Sequence, residues 1–219
     1  MTFRADLHTH TTLSDGGLLP SELVRRAFVC GHSAVAITDH ADRSNLRFLI
    51  ETISSIVIDW EKEITLLPGI ELTHVPPSKI HELAIEAKKL GAKIVVVHGE
   101  TIVEPVAEGT NKAAVTCEAV DILAHPGVLD TEEAEAAREN DIFLEITSRQ
   151  GHCLTNGHVG NLVNNISGLK AVVNTDLHGI EFLTGEEAMR IALGAGLNTE
   201  LAQKTISKWP QELIKRALE

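Results

Sequence analysis

Short apolar segments rich in β-branched residues alternate along the chain with longer amphipathic segments. Seven candidate strands begin near Phe3, Ser33, Thr65, Lys93, Asp121, Ile142 and Leu169. Helical periodicity predicts helices over 20–30, 46–63, 78–90, 131–140 and 185–195, then one or two amphipathic helices over 199–219, interrupted at Pro210. Such alternation is typical of a parallel sheet or barrel covered by helices. The pattern therefore predicts one α/β domain over residues 1–219.

Composition and charge narrow the range of partners. The formal net charge of −12 argues against a surface that neutralises a long nucleic acid. No apolar run approaches the roughly 18 residues needed to span a bilayer, and the first ten residues, MTFRADLHTH, do not resemble a secretory signal. The three cysteines lie far apart without CxxC spacing. We expect a cytoplasmic protein without a membrane anchor; its oligomeric state is left open.

A histidine or an acidic residue follows almost every predicted strand. The segments are ADLHTH, VAITDH, LPGIEL, IVVVHG, ILAHPG, FLEITS and AVVNTDLH. In a parallel barrel the carboxyl ends of all strands converge on one face, so these side chains should meet there. Glycine, asparagine or serine would end strands equally well. The repeated presence of metal-binding residue types at these seven ends therefore argues against chance. The stretch 100–110 is predicted to be a loop that either covers this face or serves as a plain connector.

The spacing within these segments indicates metal binding. His8 and His10 lie two residues apart on an extended segment, so both side chains point to the same face. Asp176 and His178 repeat that spacing at the last strand. Asp15 lies in the turn sequence SDGG and could return a carboxylate to the same pocket, although aspartate in a turn commonly bonds its own backbone.

The middle strands supply further candidate ligands. Because neighbouring strand residues face opposite ways, we assign His40 to the pocket and Asp39 to a supporting role or to proton donation. Glu71 ends the third strand, where its two oxygens could bind different cations, and His98 and His125 end the next two strands. This mixture of nitrogen and hard oxygen ligands suits zinc, manganese or iron better than calcium or magnesium.

The motifs DLHTH, SDG, ITDH, GIE, VHG, AHP and NTDLH occur in this order over residues 3–178. This series resembles the polymerase and histidinol phosphatase (PHP) family. The resemblance implies a distorted seven-stranded (β/α)7 TIM-like barrel with a centre of two to three divalent metal ions. It implies three ligand sets, which are His8, His10, Glu71 and Asp176, then Glu71, His98 and His125, then Asp15, His40 and His178.

The resemblance also implies a reaction class. Ions a few ångströms apart would supply a bridging hydroxide that attacks phosphorus, with Glu71 and Asp39 as the catalytic side chains. The favoured hypothesis is that the protein is a phosphomonoesterase that acts on a small phosphorylated metabolite. Histidinol phosphate is the example that the family suggests. The alternatives are a phosphodiesterase or nuclease that acts on short nucleotides and, less favoured, a non-catalytic module of a larger complex.

The candidates for substrate binding are Arg149, Arg43 and His152. Arg149 follows the sixth strand, where its planar fork could grip two phosphate oxygens, and Arg43 is a weaker candidate. His152 and His158 flank a glycine-containing turn into a helix, whose N-terminus attracts anions. The alternatives are a surface salt bridge for Arg149 and ordinary surface positions for the histidines. Glu145 is either a support for the ligands or a local salt-bridge partner.

Overall fold

Eight parallel strands form one sheet in the computed structural model of the chain, which describes residues 3–219. The strands are β1 (Ala5–Asp6), β2 (Ala34–Ile37), β3 (His40–Ala41), β4 (Thr65–Leu72), β5 (Ile94–His98), β6 (Ile122–Ala124), β7 (Phe143–Thr147) and β8 (Ala171–Asn174). Their order is β1-β2-β4-β5-β6-β7-β8, and the short β3 pairs with β4 just beyond β2. The sheet therefore has seven strand positions, and the distorted (β/α)7 barrel is confirmed.

The barrel is nearly closed by a seam between the first and last strands. Beyond the ends of β1 and β8, Thr9 forms an isolated parallel bridge with Leu177. The amide of His10 donates to the carbonyl of Leu177 at 2.9 Å, and the amide of Leu7 donates to Oδ1 of Asn174 at 2.9 Å. Side-chain and backbone hydrogen bonds thus replace a regular ladder at the seam.

Helices follow the strands and cover the outside of the barrel. They are α1 (Pro20–Val29), α2 (Leu46–Ile56), α3 (Pro77–Leu90), α4 (Thr110–Val115), α5 (Thr131–Glu139), α6 (Asn156–Asn165), α7 (Gly185–Gly194), α8 (Thr199–Gln203) and α9 (Trp209–Leu218). The helix predicted over 46–63 is shorter, because α2 passes into a 3-10 turn at Val57–Trp60. The short α4 was not predicted, since six residues contain too little periodicity.

The C-terminal segment is helical throughout. A π-helical turn, Lys204–Lys208, joins α8 to α9, and Pro210 lies in the first turn of α9. Proline lacks the amide that an interior helical position would donate. The expected interruption at Pro210 is therefore a π turn directly before the proline, and the backbone remains helical on both sides.

The strands are buried on both faces, as expected for a parallel barrel packed inside a layer of helices. Every residue of β2, β5, β6, β7 and β8 is buried. Within residues 3–219, no helix is both long and apolar enough to cross a lipid bilayer. The polar exceptions to the apolar core concentrate at the carboxyl ends of the strands, where the candidate site lies.

Candidate metal centre

The carboxyl ends of the strands bring all nine predicted ligands to one face of the barrel. They are His8, His10, Asp15, His40, Glu71, His98, His125, Asp176 and His178. Six of them are buried, whereas Asp15 is exposed and His40 and His178 are half-buried at the mouth. The set therefore extends from solvent into the interior of the barrel.

The innermost group joins residues from both sides of the barrel seam. Nε2 of His8 lies 3.2 Å from Oε1 of Glu71 and 3.7 Å from Oδ1 of Asp176. Nε2 of His10 lies 3.1 Å from the same Asp176 oxygen and 3.9 Å from Oε2 of Glu71. These two imidazoles and two carboxylates thus surround a small common volume.

A second group lies at the mouth. Oδ1 of Asp15 is 3.3 Å from Nε2 of His40 and 3.1 Å from Nε2 of His178, and these two nitrogens are 3.3 Å apart. His10 lies between this group and the inner one, with its ring centroid 4.2 Å from those of both His40 and His178. Because Asp15 is exposed, this position is open to solvent.

A third group, around His125, also lies beside Glu71. Nε2 of His125 is 3.8 Å from Oε1 of Glu71, and the His98 ring meets the His125 ring edge-on, with centroids 4.5 Å apart. The ring of His152 stacks on His125 at 4.2 Å. Glu71 is thus the central carboxylate, since its Oε2 also lies 2.6 Å from Nδ1 of His40.

Hydrogen bonds at Nδ1 orient several of the imidazoles. Nδ1 of His8 donates to Oε1 of Glu145 at 2.8 Å. Nδ1 of His98 donates to the carbonyl of Gly99 at 3.1 Å, and Nδ1 of His178 donates to a carbonyl two residues earlier at 3.0 Å. A histidine fixed in this way presents the lone pair of Nε2, which is the arrangement typical of metal-binding histidines.

Several buried polar atoms of the cluster have no hydrogen-bond partner in residues 3–219. They are Nε2 of His8, both ring nitrogens of His10 and His125, and Oε1 of Glu71. His8 and Glu71 approach within 3.2 Å, but their geometry is not that of a hydrogen bond. Buried polar atoms are normally paired, so these atoms fit a cation between them. The nitrogen and oxygen donors suit zinc, manganese or iron.

Burial and mutual charge set the protonation of the cluster. Burial raises the pKa of Glu71 and Asp176, but His8 and other nearby imidazoles outweigh it and hold both values below the usual range. Burial lowers the pKa of His10 to about 4 and that of His125 well below its usual value. At neutral pH the carboxylates are therefore ionised and these two imidazoles are neutral. Burial also lowers the pKa of His8, but Glu145 and Glu71 outweigh it and raise that pKa well above its usual value, so a bound cation would displace a proton from His8.

A cavity of about 210 Å³ opens onto the cluster and is lined by five of the nine ligands and by His152; the five are Asp15, His40, His98, Asp176 and His178. Thr73, His74, Glu104 and Arg149 complete its wall. Arg149 is the one lysine or arginine among the lining residues that the structure describes. The cavity therefore offers several metal ligands but a single permanent positive charge.

Comparison with known proteins agrees with this geometry. Residues 6–173 match the PHP domain. The chain belongs to the PHP domain family. This match covers the strands from β1 to β8 and includes seven of the nine candidate ligands, all except Asp176 and His178.

Relatives of this PHP domain include two archaeal proteins. The uncharacterized protein MJ1295 of Methanocaldococcus jannaschii is 54% identical and aligns over 97% of this chain and 99% of its own length. Ribonuclease P protein component 3 of Methanosarcina barkeri is 28% identical over 92% of this chain and 85% of its own. The first of these aligns along nearly the whole chain.

A solved structure has the same fold. It is the histidinol phosphate phosphatase of Lactococcus lactis in complex with zinc, L-histidinol and phosphate. Its TM-score is 0.63 at 16% identity, with 90% of this chain and 95% of that chain covered. Family membership and the cluster together identify this chain as a metal-dependent phosphoric ester hydrolase.

Asp39 does not face the cavity of this PHP domain, and its assignment to proton donation needs correction. Its oxygens accept hydrogen bonds from the amide and hydroxyl of Thr11, both at 2.7 Å, and from the hydroxyl of Ser14 at 2.6 Å. Asp39 thus holds the segment that leads to Asp15. The expectation that Asp39 and His40 point in opposite directions agrees with this placement.

The structure separates the three candidate substrate residues. Arg149 reaches the cavity, with Nε 3.9 Å from Oδ2 of Asp176. Arg43 does not reach it, because its guanidinium pairs with Glu82 at 2.5 Å on the outer surface, and its assignment is corrected. His152 is buried inside the cluster and is not exposed at a helix N-terminus.

The structure also places His158 and Glu104 relative to the cluster. His158 lies outside the cluster and donates from Nε2 to the carbonyl of Leu129 at 2.9 Å. Glu104 was not singled out in the sequence, yet it lies within 3.4 Å of His74, His98 and His152. The prediction of a loop over this face could have indicated it, because Glu104 belongs to that loop.

Proposed function

We propose that this PHP domain uses two to three zinc, manganese or iron ions to hydrolyse a small phosphomonoester. One observation carries the proposal: three groups of ligands converge around buried Glu71, directly beneath a cavity that Arg149 lines. When bound, such ions supply an activated water nucleophile and neutralise phosphate oxygens. Ligands from the first strand to the last contribute to this site, so we propose that residues 1–219 act as one domain.

Glu71 is the central residue of the proposed mechanism. Its Oε1 faces His8 and His125, whereas its Oε2 faces His40. With its two oxygens directed to different groups, Glu71 would help to hold the cations of both groups. Because its pKa is lowered, Glu71 keeps its negative charge through the neutral range.

Arg149 is the group that orients the phosphate. Its guanidinium can donate parallel hydrogen bonds to two phosphate oxygens, which fixes the ester in one orientation. The side chain is 38% exposed, so Arg149 can be reached by a phosphate from solvent. Since both oxygens of Asp39 are engaged by Thr11 and Ser14, we assign Asp39 to the support of this segment.

The size and charge of the site favour a small ester over a polymer. A cavity of about 210 Å³ with one arginine accommodates a phosphoryl group but offers no basic track for a chain of phosphates. The net charge of −12 also disfavours the binding of long nucleic acids. The zinc, L-histidinol and phosphate bound to the phosphatase of the same fold are consistent with a phosphomonoester.

The second candidate is a phosphodiesterase that acts on short nucleotides. It is favoured by the relative that is a protein component of ribonuclease P, whose alignment covers most of both chains. The same relative also supports the weaker alternative of a module within a larger complex. A complete set of nine ligands speaks for catalysis, because a purely structural module has no need of them.

One experiment separates these candidates. The protein is purified without chelators, its metal content is measured, and it is then assayed with zinc, manganese or iron. Release of inorganic phosphate from a panel of small monoesters is compared with cleavage of dinucleotides. We expect at least two ions per chain and faster phosphate release. Fewer than two ions without turnover of either class would reject the hydrolase, and faster dinucleotide cleavage would replace the monoesterase by the diesterase.

A further inference from the structure

Near His125 lie further candidate ligands, beyond the nine that the sequence motifs supplied for the whole centre. Ligand atoms of His98, His125 and His152 all lie within 4.8 Å of one another. We propose that His152 is a further metal ligand and that Glu104 completes the same position. This inference rests on the metal centre of the proposed function, and it adds two loop-borne ligands to that centre.

His152 has the burial and orientation of a ligand. It is 6% exposed, and its Nδ1 lies 2.8 Å from Oγ1 of Thr101, so its Nε2 points away from that hydrogen bond. Its ring stacks on that of His125 at an interplanar angle of 23°. Two nearly parallel imidazoles at this separation can direct nitrogens to one cation.

Glu104 lies on the far side of the same position. Its Oε1 is 3.4 Å from Nε2 of His152, and its Oε2 is 3.2 Å from Nε2 of His98. Since Nδ1 of His98 donates to a backbone carbonyl, a neutral His98 presents the lone pair of Nε2 towards this carboxylate. The contact between these two electron-rich atoms needs a cation between them, either a proton on Nε2 or a metal ion.

His125 gives an independent indication of a bound ligand. It is 2% exposed, and both of its ring nitrogens lack a hydrogen-bond partner in the described residues. An imidazole buried without any partner is costly, and a cation shared with His98 and His152 would satisfy it. Together with Glu71, the group would then offer three nitrogens and two carboxylates, from His98, His125, His152, Glu71 and Glu104, a mixture that suits zinc, manganese or iron.

The loop that carries Glu104 is anchored by hydrogen bonds. The amide of Glu100 donates to Oδ1 of Asn111, and the amide of Asn111 donates to Oε1 of Glu100, both at 2.9 Å. Nδ2 of Asn111 also donates to the carbonyl of Pro126 at 2.8 Å. These bonds fix the start of the loop against the β6 end, one residue beyond His125. Both ends of the loop are therefore held, and Glu104 lies between them, beside His98 and His152.

The test measures metal binding in the absence of substrate. Metal-free wild type, His152→Asn and Glu104→Gln are titrated with zinc by calorimetry, and bound metal is counted after gel filtration. His158→Asn and Glu108→Gln are the matched controls, since His158 bonds the Leu129 carbonyl outside the cluster and Glu108 is an exposed residue of the same loop. We expect one ion to bind at least about tenfold more weakly in each test variant, with the controls unchanged.

The outcomes separate this inference from the proposed function. Wild type that binds no zinc would reject the metal centre itself. Wild type that binds zinc, with both test variants binding the same number of ions at unchanged affinity, would overturn only the roles of His152 and Glu104. Because His152→Asn is a core change, a second measurement uses the wild type. Zinc should shift the Nε2 resonance of 15N-labelled His152, and an unshifted resonance would contradict its ligation.

Discussion

Oε1 of Glu145 lies 2.8 Å from Nδ1 of His8, in a position where neither side chain contacts solvent. The same oxygen accepts a hydrogen bond from Nδ2 of Asn174 at 2.9 Å, and Oε2 accepts one from the amide of His125 at 3.2 Å. Glu145 therefore ties the ends of β1, β6, β7 and β8 together beneath the centre. It fixes the ring of His8 so that Nε2 faces Glu71.

Replacement of this support should weaken metal binding without removing a ligand. We expect Glu145→Gln to reduce metal affinity or turnover about 10- to 100-fold, because His8 loses the carboxylate that orients its ring and raises its basicity. Calorimetric titration with zinc measures the change. Glu135→Gln on the outer helix α5 is the control, and an affinity equal to that of wild type in Glu145→Gln would remove this role.

Glu71→Gln should have a larger effect than the change at Glu145. The amide keeps the shape of the side chain but removes the negative charge between the groups of His8, His40 and His125. We expect fewer ions per chain and a loss of turnover greater than about 100-fold. This loss exceeds the one expected when a residue that only supports a ligand is replaced. Metal analysis and phosphate release are measured on one preparation, with Glu82→Gln as a surface control. Full occupancy with normal turnover would refute the central position of Glu71.

Arg149 and Arg43 form a matched pair of substitutions. Arg149→Ala should raise KM about 10- to 100-fold, since a hydrogen bond to a charged group contributes about 1.5–3 kcal/mol. Arg149→Lys should recover only part of this loss, because an ammonium cannot make the paired hydrogen bonds. Arg43→Ala should leave KM unchanged. Steady-state kinetics on the best substrate decide the matter, and equal effects of the two alanine variants would contradict the assignment.

His32 should make the stability of the protein depend on pH. Burial, with a further contribution from Arg4, lowers the pKa of His32 to about 3, and both ring nitrogens lack a partner among the described residues. The unfolded chain takes up this proton near pH 6.5, whereas the folded protein does so only near pH 3. The unfolded state therefore binds more protons between these values, and stability falls as the pH decreases below about 6.5.

This effect can be isolated with His32→Leu. Between about pH 7.5 and pH 5, wild type should lose about 2 kcal/mol more of its free energy of unfolding than the variant. Urea unfolding with a chelator present keeps the metal centre out of the comparison. His81→Ala, on the exposed face of α3, serves as the control. Parallel pH profiles for wild type and His32→Leu would show that His32 does not carry the dependence.

Gly99 lies where the backbone after His98 passes the end of β6. A Cβ atom at this position would lie 2.3 Å from the carbonyl oxygen of Ala124 and 2.7 Å from Cα of Pro126. Gly99→Ala should therefore displace the loop, lower the free energy of unfolding by about 1–3 kcal/mol and weaken zinc binding. Gly157→Ala, which meets no atom within 4 Å, should be neutral or slightly stabilising. Equal free energies of unfolding of Gly99→Ala and Gly157→Ala would show that the loop can move without loss of stability.

The barrel and most of the centre could be predicted because local signals specify them. β-branched runs mark the strands, and the two-residue spacing of His8 and His10 places both side chains on one face whatever lies around them. The topology of a parallel barrel then brings the strand ends together. The same reasoning found Glu145 but could not distinguish a support from a surface salt bridge, because that difference depends on Asn174 and His8 across the seam.

The positions of Glu104 and His152 could not be predicted for a related reason. Both lie on irregular segments, whose paths are set by contacts such as that of Asn111 with Pro126 rather than by any periodicity. Arg43 shows the converse case. Its position after β3 suggested a strand-end role, but the glutamates of α3 that attract it are distant in sequence and were not considered as its partners.

The seam between β1 and β8 has a consequence for the synthesis of the protein. His8 and His10 precede β2 in the chain, whereas Asp176 and His178 follow β8, so most of the barrel is translated between the two pairs. A nascent chain therefore contains these two histidines long before the Asp176 carboxylate that faces them in the folded barrel. In the proposed centre the full ligand set would therefore form only after β8 has been translated, and metal binding would follow closure of the barrel.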